Sequence, residues 1–372
     1  MVDVKEYREL ERPYELWLCS FPDLGNSQVL RLIRLFGDAK GVYFANTDSW
    51  RQVLKDRQVE RLKQFTKEWE PESEYRKLQE RNIRLVTLAD GEYPDRLRNI
   101  PDPPYGLFVK GSLPGKQELT VAVVGARDCS QYGRFVAEKL GDTLGRYGIT
   151  VISGMARGID GISQQAALNA GGRSCGVLGC GIDICYPKEN RELYDRLPEH
   201  GSLISSYPMG TPALARNFPP RNRIVSGLAD AVVVVEAREK SGTLITVDMA
   251  LEQGREVYAV PGRITDRLSD GCNRLIRQGA SLLLNPEELI RELYGLKESV
   301  SVSNDKGKVR PQLSPELKAV LDALELDPST TEEIRTRLPG EWKEINLSTC
   351  LIRLCMENLA VQVSPGCFCG KF

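Results

Sequence analysis

A chain of 372 residues with 41% hydrophobic content can bury a large core and has the length of two or three domains. Its 50 Lys and Arg against 51 Asp and Glu leave a net charge of −1, so no global basic field attracts an anionic polymer, and a nucleic-acid partner would need a local basic patch. No apolar run approaches the ~18 residues of a membrane span, and the charged start MVDVKEYRELERPYELW lacks a signal-peptide core, so the expected location is the cytoplasm, with the 10 Cys as reduced thiols.

Residues 13 to 69 read as helical: LWLCSF is a short apolar stretch, and SQVLRLIRLFG carries Val29, Leu32, Ile33 and Phe36 at helical spacing, with Gly37 as its stop. Helix, Gly-containing turn and helix outline a small domain over 1–70 of the helix-hairpin-helix or sterile-alpha-motif kind, although plain packing explains it equally well. EYRKLQERN predicts a helix, IRLVTL a strand, and the Pro-rich stretch after it ends in a strand at Tyr105 to Lys110.

From residue 120 the pattern becomes regular. TVAVVG, ITVISG, SCGVLGC, SLISSY, ADAVVVVEA, EVYAVPG and SLLLN are apolar strands, and most alternate with amphipathic helices. That alternation predicts an extended Rossmann-like parallel sheet with helices on both faces, assigned to 71–296, with its strand-to-helix loops along one edge. The polar stretch 297–312 reads as a linker. Over 313–372, three helices (the first capped by Ser314, the second by Thr330 or Thr331) and a hairpin at Pro365-Gly366 outline a winged helix. Its third helix has only Arg353 at its centre, which is poor provision for reading a DNA groove and leaves protein docking or packing open.

The chemistry sits in the loops. VVGARDCSQYG places Gly125 and Arg127 after a strand, where backbone can approach a ligand and a fixed cation can hold phosphate. ISGMARGIDGIS runs from strand to helix with Gly154, Arg157, Gly158 and Gly161, a helix start suited to an anion. A dinucleotide site would also need an acid after the next strand. Asp183 stands there, but the Gly loop follows the second regular strand instead of opening the run, which argues against NAD. RNFPPRNRIVSGLA, read as a third loop, offers Arg216, Arg221 and Arg223 for phosphates and Phe218 beside rigid Pro as a stacking platform for a base. Ser241, Gly242 and Thr243 open another helix, and Asn273, Arg274 and Arg277 add polar and basic groups. The single His200 falls in a surface turn, and the Cys spacings match no zinc site, so neither a His-based nucleophile pair nor a resident metal or cofactor is expected.

Taken together, VAVVGARDCSQYG, SGMARGID, GVLGCGIDICYPKEN, FPPRNRIVSGLADAVVVVEA, SGTLIT, ALEQGREVYAVPG and GCNRLIRQGA closely resemble the DNA-processing protein A family (DprA, or Smf) in motif and order over residues 75 to 290. The resemblance implies a dimeric protein that binds single-stranded DNA without catalysis, protects incoming DNA in natural transformation and loads the RecA recombinase. Carried over by motif, it implies Arg127, Ser153, Gly154, Gly158, Asp160, Phe218, Arg221 and Asn222 at the DNA groove. GLADAVVVVEA and the later helices are where a dimer surface is sought. Two positions depart from the family: Gln164 replaces its usual His and Ser206 its usual Glu, both expected near the groove. The alternatives are a nucleotide-hydrolysing enzyme of the phosphoribohydrolase kind, of whose motif SGTLITVDMALEQG with Glu252 is a partial echo, and an interaction scaffold with a vestigial pocket.

Overall fold

The computed structural model describes residues 4–295, 313–325, 327–357 and 359–370; the linker expected at 297–312 lies outside them. The chain divides into two compact units, Met1–Asp128 with Ala137–Leu293, and Cys129–Val136 with Tyr294–Phe372.

The larger unit begins with five helices: α1 (Val4–Ser20), α2 (Asn26–Phe36), α3 (Ala39–Phe44), α4 (Asp56–Glu68) and α5 (Pro71–Glu80). Helix α1 runs through Pro13, where the sequence suggests a start. The helices enclose an apolar cluster around Trp17, Leu32, Trp50 and Leu62, and the Trp50 indole donates to Val42 O at 3.0 Å. An ionic knot ties α1 to the turn at Asp90. Arg8 and Arg12 reach Asp90 at 2.9 and 2.6 Å and Glu15 at 3.0 and 2.9 Å. Burial pushes the Asp90 carboxyl up, but hydrogen bonds from Arg12 and from the Thr87 N–H, with the Arg12 charge, outweigh it and hold the group at about 2. A depressed carboxyl stabilises the fold above its ordinary value and loses that contribution as pH falls toward its folded value. Asp90→Asn therefore costs stability at neutral pH, and the deficit, about 2 kcal/mol from the size of the shift, shrinks as pH drops below about 4. Urea midpoints of both proteins from about pH 6 to pH 3 check this; a constant gap contradicts it.

Next come β1 (Arg84–Thr87), α6 (Asp95–Arg98), β2 (Gly106–Gly111), β3 (Thr120–Val124), α7 (Gln131–Arg146), β4 (Thr150–Ser153), α8 (Ile159–Asn169), β5 (Ser174–Leu178), α9 (Arg191–Arg196) and β6 (Gly201–Ser205). They are followed by α10 (Phe218–Gly227), β7 (Ala231–Val234), α11 (Gly242–Glu252), β8 (Glu256–Ala259), α12 (Asp270–Arg277), β9 (Ser281–Leu282) and α13 (Pro286–Gly295). The nine strands form one sheet in the order β1-β2-β6-β5-β4-β3-β7-β8-β9. From β6 to β9 every pair is parallel, whereas β2 and β1 join antiparallel at the other edge. The sheet is thus mostly parallel and not wholly so, since β2 runs against both β6 and β1. The central strands are buried along their whole length, which is why TVAVV, SCGVL and AVVV read as unbroken small and apolar runs.

Two expectations change here. The third loop is largely a helix: FPPRNR forms the first turns of α10, with Pro at its opening positions. Proline's fixed φ suits a helix start, where its missing N–H is not needed, so the Pro pair marks an onset and not a break. GLADAVVVVEA contributes β7, paired on both sides and buried, so its strand offers no free surface.

The smaller unit holds α14 (Pro315–Ala323), β10 (Ser329–Thr330), α15 (Thr331–Arg337), α16 (Leu347–Met356), β11 (Ala360–Ser364) and β12 (Cys367–Gly370), with strand order β10-β12-β11. The Ser314 hydroxyl accepts from Leu317 N, and Thr330 forms a reciprocal cap with Glu333. Leu317, Val320, Ile334, Leu351, Leu354 and Phe368 make its core. No helix among the described residues is long and apolar enough to cross a membrane.

Candidate nucleic-acid interface

The parallel strands change direction of succession at β3, which has β4 on one side and β7 on the other. At such a switch point the loops after adjacent strands diverge and leave a crevice at the carboxyl ends of the strands. A groove opens there with two connected lobes of about 540 and 470 Å3. Arg127, Gly154, Ala156, Tyr186, Phe218 and Arg221 line both.

The Gly loop after β4 sets the floor. Met155 is buried in the left-handed region at φ +55°, and Gly158 caps α8 at φ +73°. The strained turn is tied from outside, since Asn190 Nδ2 donates to Met155 O at 2.9 Å and Ala156 O at 3.0 Å. A Cβ on Gly154 would stand 2.7 Å from Arg221 Nη2 and 2.9 Å from Asp160 Oδ2, so only glycine passes between those two side chains. Gly154 N donates to Asp160 Oδ2 at 3.1 Å.

Arg221 behaves unlike the phosphate donor expected for it. It is 5% exposed, and its Nη1 donates to Gly154 O at 2.7 Å and to Val177 O. It thereby braces the carboxyl ends of β4 and β5. Burial lowers the Arg221 pKa against the pull of Asp160, and burial raises the Asp160 pKa against the pull of Arg221. Each charge is tolerable inside chiefly because the other is present.

Phe218 lies half-buried over the bare backbone of Gly179. The guanidinium carbons of Arg127 and Arg221 are each 5.6 Å from its ring centre, and the Tyr186 ring is 5.5 Å away at 33°. Its faces are therefore largely engaged. The more open aromatic surface is Tyr186, 41% exposed. Tyr186 is absent from the residues expected at the site, although an aromatic beside Pro187 is the same signal that singles out Phe218.

Of the expected site residues, Gly125, Arg127, Gly154, Asp160, Phe218, Arg221, Asn222, Ser241, Gly242 and Thr243 line the first lobe, and Arg157 lines the second. Gly158 stands just behind the wall. The others are spent elsewhere. Ser153 is buried and donates to Val123 O at 2.7 Å. Arg223 pairs with Asp102, Asn273 clamps Gly262 through both backbone groups, and Arg274 pairs with Glu239 at 2.5 Å. Arg216 is exposed but outside both linings. Helical spacing in α10 explains the dispersal of its arginines: residues two apart point to opposite sides, so Arg221 turns inward and Arg223 away.

The departures Gln164 and Ser206 also lie outside the linings. Gln164 is fully buried and donates to Ser174 Oγ at 3.0 Å and Cys175 O at 3.2 Å, so it ties α8 to β5. Asp183, the acid weighed for a ribose, accepts from Gly210 N at 2.9 Å. Glu252, the acid of the hydrolase echo, is the last residue of α11, about 15 Å along the axis from the Ser241 end that faces the groove. His200 is exposed, as expected of a surface turn. No cluster of metal-ligating side chains occurs among the described residues.

The pattern of the DNA recombination-mediator protein A family matches residues 84–294, more than half of the chain. Protein Smf of Escherichia coli K12 is 44% identical over 221 residues, 59% of this chain and 59% of that protein, so the match spans about six-tenths of the relative. Among solved structures, DNA processing protein A (DprA) from Streptococcus pneumoniae superposes with a TM-score of 0.66 at 33% identity, covering 75% of this chain and 97% of the other. DNA processing protein A from Helicobacter pylori, whose structure is described in terms of a unique single-stranded DNA binding mode, gives 0.51 at 28% identity over 57% and 96%.

Proposed function

The chain belongs to the DNA recombination-mediator protein A family, and on that premise we propose that its groove holds single-stranded DNA as incoming strands are protected and handed to the RecA recombinase in transformation and recombination. The observation that carries the reading is the two-lobed groove at the switch point, with an exposed aromatic at Tyr186 and exposed cations at Arg127, Arg157 and Lys188 on its walls. Aromatic faces accept any base, and unpaired cations accept the backbone between bases. Base faces are free for such stacking only where they are not already paired and stacked in a duplex. The relatives support it, since the Helicobacter pylori protein is described by its single-stranded DNA binding mode.

The test is equilibrium binding of oligo-dT and of a duplex of equal length over a salt series. We expect tighter binding to the single strand, with log affinity falling linearly in log salt. Equal affinity for the two forms overturns the reading.

The same proposal includes a homodimer. The sheet ends at β9, a two-residue exposed strand paired only with β8, with Leu282 on it and Leu284 just beyond it exposed to solvent. An open edge with apolar side chains is a pairing surface for a second copy. Leu284→Glu should shift the protein to monomer in sedimentation, at unchanged urea stability. A variant that sediments like the parent removes this edge from the interface.

A further inference from the structure

The groove does not end at its lining. The first lobe includes Arg238 and Leu268, which come from the loops after β7 and β8. These loops are stitched together by backbone: Ala237 N donates to Leu268 O, and Gly271 N to Ala237 O, both at 2.8 Å. The stitching leaves Arg238, Lys240 and Arg267 exposed within one residue of the lining. None of the three makes an ion pair among the described residues. The acid between the first two, Glu239, is taken by Arg274 at 2.5 Å.

Beside them α11 begins without a side-chain cap. Ser241 has the extended backbone of an N-cap residue, yet its hydroxyl caps nothing. That hydroxyl is shielded from solvent and has no partner. An uncapped helix start presents unsatisfied N–H groups and the positive end of the helix dipole, and a nearby hydroxyl without a partner adds a further donor.

We infer that this rim is a second phosphate-binding stretch, in which the α11 start with Arg238, Lys240 and Arg267 holds the backbone of a nucleic-acid strand as it leaves the first lobe. The inference rests on the reading that the groove holds single-stranded DNA. It adds that a strand longer than the two lobes is gripped past Phe218 on the side of β7 and β8. Bases there meet no aromatic side chain of the lining, so the grip is on phosphates and indifferent to sequence. It should be strongly salt-sensitive, since each cation that meets a phosphate releases a condensed counterion.

The experiment uses the full chain and the double variant K240Q/R267Q, which leaves the lining residue Arg238 in place, with fluorescence anisotropy on oligo-dT of about 5 and about 30 nucleotides, the shorter near the small end of single-strand sites. Both side chains are exposed, so urea unfolding should match the parent. The expected result is an unchanged affinity for the short strand. The long strand should bind at least about tenfold more weakly, and its salt slope should shrink by about 1.4, at roughly 0.7 for each phosphate no longer held. Unchanged long-strand affinity, or equal weakening of both lengths with the slope intact, overturns the second stretch. A parent protein that binds neither length overturns the groove reading itself, and the two failures are thus told apart.

Discussion

Arg221→Ala should destabilise the larger unit by about 3–5 kcal/mol, the usual cost of removing one partner from a buried charged pair. Three losses combine. The carboxyl ends of β4 and β5 lose the Nη1 bonds to Gly154 O and Val177 O. Asp160 keeps its burial but loses the charge that offsets it, so the raised pKa already caused by burial moves further in the same direction. A void opens under the Phe218 ring, on which the guanidinium rests. Urea denaturation measures the stability. A salt series on whatever remains folded separates this from a phosphate-binding role, because removing a cation that meets a phosphate lowers the slope by about 0.7 and removing a brace leaves it intact. A variant as stable as the parent but with a reduced slope would restore Arg221 to the DNA and defeat the brace.

Arg221 also shows where reading the sequence stops. The parallel core was legible because a strand buried on both faces must be apolar throughout, and VAVV, CGVL and AVVVV have no other explanation in a chain this charged. The gathering of loops followed from that, since parallel strands put their carboxyl ends on one edge. What composition could not say is which arginines face outward. Arg216, Arg221 and Arg223 look alike in RNFPPRNR, yet one is exposed beyond the groove, one is a buried brace and one pairs with Asp102 across 121 positions of sequence. The difference depends on α10 starting at Phe218 and on the presence of Asp160 and Asp102, and neither is local. Asn273 carries the same lesson: it looks like a surface ligand and serves as a clamp on Gly262. Tyr186 is the opposite case. Its stretch stands out in the sequence for its family resemblance and its cysteines, and only the fold brings the ring within 5.5 Å of Phe218.

Gly158→Ala should be the most damaging change for its size. The position has φ +73°, where an L side chain costs about 1–2 kcal/mol. Space is the larger problem: a Cβ there collides with the carbonyl oxygens of Ala126 and Arg127. Those are backbone atoms of the loop after β3, and Ala126 O is further fixed as acceptor for Ile159 N at 3.2 Å. The loop must therefore retreat from the start of α8, and Arg127 leaves the Phe218 ring with it. The summed cost is about 2–5 kcal/mol of stability, with overpacking contributing its usual 1–3. Single-strand affinity should fall by about five- to 150-fold even in protein that is still folded, because the Arg127 interaction is worth about 1–3 kcal/mol to binding. The two readouts are urea denaturation and oligo-dT binding at low temperature without urea, where the variant is folded. Arg127→Ala provides the control: it removes the cation without touching the turn, so it should reproduce the binding loss and spare the stability. If Gly158→Ala weakens binding no more than Arg127→Ala does while leaving stability intact, the loop has absorbed the methyl group, and the close approach of the two turns is not what shapes the groove.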